Sequence, residues 1–159
     1  MTNRIDSDVV RAAWDTVAQL TALQLEVEFG LFETAQPQIA QAIDGICKQL
    51  DIEPDEQIRA AAIAVWKVFP LHLPVIEKTE FMKVFEEIEH KYKGLAAIEP
   101  RRRDKILELT VPYERQPAVF GFILGIVHEL ITIKADPRKI AFLIVLLDAE
   151  ATVFDQAAG

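Results

Sequence analysis

"PAVFGFILGIVHELITIK", residues 117–134, is the stretch on which the fold class turns. From Pro117 to Val127 it has neither a charge nor a hydrogen-bonding side chain. A bilayer span needs about 20 apolar residues, and His128 and Glu129 close this run well short of that. It therefore reads as a helix enclosed by other helices, not as a membrane span. A second apolar run, 140–147, follows after only "KADP". Two apolar helices joined so tightly predict an antiparallel hairpin at the centre of the fold.

Outward from the hairpin, proline punctuates the chain. Pro37, Pro54, Pro100, Pro117 and Pro137 each precede an apolar pattern with helical spacing, which is where a residue of fixed φ and no N–H is tolerated. Ser7 and Thr79 read as N-caps of two further helices. The resulting helices run near 8–34, 38–50, 54–69, 80–93, 100–110, 117–134 and 137–156, with 8–34 open as one helix or two. Their apolar stripes are regular: Ile39, Ile43, Ile46 and Leu50; Ile58, Ala61, Val65 and Phe69; Phe81, Val84, Phe85, Ile88 and Tyr92. No segment alternates with period two long enough to form a strand. The prediction is an all-α, single-domain bundle of about seven helices. The "IEP" at 52–54 recurs at 98–100, but the residues that follow do not repeat.

The chain has 159 residues, 51% of them hydrophobic, and a formal charge of -8. That charge disfavours nucleic-acid backbones, which select basic surfaces. One cysteine, Cys47, allows no internal disulfide, and "MTNRIDSDVV" lacks the basic-then-apolar build of a secretory signal. A cytoplasmic place is expected. So is a partner, because so apolar a composition suggests a second burial surface in a homo-oligomer or against another protein. The acidic balance would also suit an inhibitor of a basic enzyme.

Within 117–134, Ala118, Gly121, Gly125, His128 and Thr132 share one helical face with little side-chain bulk. Two readings follow: a close helix crossing or interface at Ala118, Gly121, Gly125 and Thr132, or a groove for a flat apolar ligand with His128 at its edge. In the first, replacing either glycine with leucine overpacks the face at a cost of about 1–3 kcal/mol. A ligand pocket would draw on His90, His128, Trp66 and Phe122, with Trp14, Phe29, Phe32 and Phe69 around them. Glu87 and His90 have the spacing of di-iron bundle ligands, but such sites need that pair twice. No metal site is expected. Cys47 borders an apolar stripe, Ser7 is the lone serine, and no nucleophile elbow or phosphate loop is present. No catalytic residue is assigned, and a non-catalytic role is expected. Arg101, Arg102 and Arg103 open a helix where cations oppose the macrodipole, which makes them a candidate docking point for an acidic partner surface.

Part of the chain resembles phycobiliproteins. "LTALQLEVEFGLFETA", Leu20–Ala35, carries a V-x-F-G-x-F-x-x-A pattern in Val27, Phe29, Gly30, Phe32 and Ala35; "AAIAVWKVFP", 61–70, and the C-terminal "VFDQAA" are similar to further segments of that family. "VRAAWDTV", with Trp14, resembles the first helix of haemoglobins, and His90 with Gly94 resembles their proximal-histidine segment. The resemblance implies a globin-like fold and makes haem or bilin possible cofactors. Phycobiliproteins hold their tetrapyrrole through a mid-chain cysteine, and no residue from Asp51 onward is cysteine. The resemblance therefore implies the scaffold more than a covalent pigment.

Overall fold

The structure is a computed structural model that describes residues 4–70, 72–91 and 116–158. Among these the chain forms seven α-helices and no strand: α1 (Ser7–Ala18), α2 (Ala22–Ala35), α3 (Pro37–Gln49), α4 (Glu56–Lys67), α5 (Lys78–Lys91), α6 (Pro117–Thr132) and α7 (Pro137–Ala158). The protein is all-α, as its periodicity requires. The expected helix at 100–110 and Tyr92 lie outside the described residues.

Helix α7 is the axis of the core. Every residue from Phe142 to Ala151 is buried, because α4, α5 and α6 all pack against it. The α6–α7 hairpin expected from "KADP" is present, with the two helices packed on each other. Outside this centre, α1 and α2 cover α4, α3 bridges α2 and α5, and α1 also touches α6. Leu50 departs from its expected stripe: it caps α3 and is exposed.

The long segment 8–34 is two helices. Thr21 breaks it, because its side chain accepts from the Gln24 N–H at 3.2 Å while Gln24 Oε1 accepts from the Thr21 N–H at 2.9 Å. This reciprocal pair satisfies two donors that a helix start leaves orphaned. Other expected starts shift slightly. Asp6, not Ser7, holds the N-cap position of α1, and Thr79 lies inside α5. Asp55, just after Pro54, caps α4 by accepting from the Ile58 N–H at 3.1 Å.

Two helices end alike. After α3 and α6, Asp51 (φ 54°) and Lys134 (φ 56°) take the left-handed conformation. The next N–H then reaches back, Ile52 to the Cys47 carbonyl at 2.8 Å and Ala135 to the Leu130 carbonyl at 3.0 Å. That is the Schellman pattern. Two helices also start alike. Gln36 and Gln116 precede Pro37 and Pro117 with φ near -134° and -133°, as a following proline demands. Each glutamine is buried and works as a tether. Gln36 donates to the Pro74 carbonyl and accepts from the Ile76 N–H; Gln116 donates to Asp155 and accepts from the Ile5 N–H.

Candidate functional site

Helix α6 does not match the expectation that it is enclosed on all sides. Val119, Phe120, Ile123, Ile126, Val127, Leu130 and Ile131 face the core, whereas Gly121, Gly125, His128 and Thr132 are exposed and Ala118 is half-buried. Among the described residues, a Cβ built on Gly121 or Gly125 meets no neighbouring atom within 4 Å. The close crossing expected here is thus not made by any described helix, because the helices packed on α6 approach its opposite side. Thr132 instead donates its hydroxyl to the His128 carbonyl one turn back at 2.9 Å.

The four residues assigned to a ligand pocket do not converge. His90 and His128 are exposed on α5 and α6. Trp66 is buried against Phe32, ring centroids 5.5 Å apart, and Phe32 against Phe29 at 5.6 Å. Phe122 pairs instead with Trp14 at 5.4 Å, between α6 and α1. The rings fill each other's space. One described cavity, of about 130 Å³, has Trp14, Ile126, Leu130 and Leu143 in its wall. A second, of about 280 Å³, is lined by Ala22, Leu23, Leu25, Glu26, Glu56 and Arg59. Pockets for drug-sized ligands are about 300–1,000 Å³, and neither histidine lines either of these two. Among the described residues, no three His, Cys, Asp or Glu side chains gather as a metal would require. No described helix is long and apolar enough to cross a membrane. Arg101, Arg102 and Arg103 lie outside the described residues.

Two buried groups stand out chemically. Cys47 is buried, and desolvation, with Asp44 and Asp55 nearby, pushes its thiol up to about 11. It is an inert apolar side chain at neutral pH. Glu150 is wholly buried on α7, and among the described residues neither carboxylate oxygen has a hydrogen-bond partner. Burial raises its pKa well above the ordinary 4.5, so its neutral form is favoured.

The surface feature that sequence reasoning missed is on α2. Leu25, Phe29 and Phe32 enter the core. Opposite them, Leu23, Val27 and Leu31 are 71%, 60% and 54% exposed. A spacing of four residues sets these three in one line along the helix, with exposed Gly30 and Thr34 in the same sector. On the helical wheel Glu26 and Glu33 flank one side of the line, and Gln24 and Glu28 the other. Glu28 pairs with Lys67 of α4 at 3.0 Å. Helix α2 itself carries no basic residue. With 8–34 open as one helix or two, the sequence did not separate this stripe, since apolar residues on both sides of α2 have the composition of a core helix. A separate reading of 22–35, counting both apolar lines, would have exposed it.

Compared with known proteins, the chain matches no family model, no curated protein and no solved structure.

Proposed function

We propose that this chain is a non-catalytic, globin-like helical module that acts by association with protein, through self-assembly or with another chain, and that α2 is its contact face. The observation that carries this reading is the exposed line Leu23, Val27 and Leu31. Single apolar residues on a surface are ordinary, but a contiguous line of them marks a place where another surface fits. The line stands on a helix whose other face is locked into the core by Leu25, Phe29 and Phe32. The contact face is thus rigid before binding, which lowers the ordering cost of association. A photo-crosslinking residue at Val27 is expected to capture a protein, its own copy or another, far more often than one at Asp44, an exposed position on α3. Equal yields at the two positions overturn the reading.

A further inference from the structure

The chemistry around α2 narrows what can cover it. Resting on α2 as the contact face, we propose that its occupant is an amphipathic helix of another protein, with an apolar ridge flanked by lysine or arginine. From Leu23 to Leu31 the stripe runs roughly 12 Å at 1.5 Å per residue. Two turns of a docked helix, read through anchors at i, i+4 and i+7, cover that length.

Charge chooses the flanks. Glu26 and Glu33 border one side of the stripe with no basic residue on α2 to balance them, while Glu28 on the other side is already paired with Lys67 of α4. The 280 Å³ groove opens at the N-terminal end of the stripe, where Leu23 and Glu26 of α2 meet Glu56 and Arg59 of α4. Arg59 is the cation in this lining, and its guanidinium lies over the Phe29 ring, 5.0 Å from the centroid. Two carboxylates therefore face one arginine that already stacks on a ring, and a cationic side chain entering from the ridge gains from that balance. A second copy fits worse. Pairing α2 antiparallel with itself across a twofold axis sets Glu26 and Glu33 of one copy beside those of the other. Like charges brought together at an interface suppress association, and a net charge of -8 per chain adds to the repulsion.

The test uses the full chain and a fluorescein-labelled synthetic helical peptide of about 18 residues, with leucines at i, i+4, i+7 and i+11 and lysine flanks. Two comparison peptides carry glutamate flanks, or lysine flanks with serine in place of leucine. Anisotropy titrations are run against wild type, against Leu23→Gln/Val27→Gln/Leu31→Gln, and against Glu26→Gln/Glu33→Gln, with circular dichroism checking that each is folded. The lysine–leucine peptide is expected to bind saturably at one per chain. Binding should fall at least about tenfold in the triple variant, fall several-fold in the charge variant, and weaken with salt. Failure of the lysine–leucine peptide to bind, its equal binding to the triple variant, or equal binding by the serine peptide overturns the proposal. Equal binding by the glutamate-flanked peptide also overturns it, but leaves α2 as a contact face. A dimer in light scattering that the triple variant dissolves names a second copy as the occupant. That result removes the basic helix and keeps the association reading.

Discussion

Glu150 is costly where it stands. A wholly buried carboxyl without a hydrogen-bond partner keeps its desolvation penalty. With its folded-state pKa raised above 4.5, the native state retains a proton that the unfolded chain releases. Stability contributed by the neutral group is complete below pH 4.5 and declines as pH rises toward the folded-state value. Glu150→Gln should therefore show little advantage near pH 4 and a growing one above pH 5, read as the difference in urea midpoints between variant and wild type. A constant difference across pH would mean that the group is ionised in the core. At Cys47 the same burial acts on a thiol, whose raised pKa of about 11 leaves almost no thiolate at pH 8. Its alkylation by iodoacetamide in the native protein is expected to be much slower than in urea; equal rates would place it at the surface.

At the scale of the element, the glycine face of α6 is open among the described residues. Glycine costs roughly 1 kcal/mol of helix stability relative to alanine, and the sequence reading set that cost against a tight crossing. Among the described residues, no neighbouring atom lies within 4 Å of a Cβ at Gly121 or Gly125. Gly121→Ala and Gly125→Ala are each expected to stabilise the chain by about 0.5–1 kcal/mol in chemical denaturation. Destabilisation at either position would show that this face is covered in solution. The helix ends follow a different logic. Asp51 and Lys134 accept a left-handed backbone that disfavours side chains, because the resulting turns satisfy the last carbonyls of α3 and α6. Arg138, paired with Asp136 at 3.0 Å, donates to the Leu50 carbonyl. Lys139 engages Asp55 and Gln57. These contacts join the end of α3 and the start of α4 to the start of α7.

For the whole molecule, the two buried glutamines hold together parts of the chain that are distant in sequence. Gln36 ties the corner between α2 and α3 to residues 74–76. Gln36→Ala removes one acceptor and one donor at a buried site. It is expected to cost about 1–3 kcal/mol, seen as a lower denaturation midpoint at unchanged slope. A slope change would mean that the 72–77 connection comes loose as a separate unit. Gln116 plays the matching part at the other end, joining Ile5 to Asp155 of α7. Each glutamine stands just before a proline that opens a helix, so one local device recurs at two corners of the fold.

The helices themselves were legible from the residues. Period 3.6, the prolines at 37, 117 and 137, and the apolar run 140–147 rest on local sterics and burial, which act within a few residues and leave a pattern along the chain. The break at Thr21 was also written there, as Thr-x-x-Gln, although apolar residues continuing on both sides left one helix or two open. What only the tertiary structure decided is which apolar line of a helix meets a neighbour. Leu23, Val27 and Leu31 have the same chemistry as Leu25, Phe29 and Phe32, and the glycines of α6 would suit a crossing as well as an open surface. Hydrophobicity has no direction, so the packing of α4 behind α2, and of α1 and α7 around α6, determined which of these lines was buried and which was left exposed.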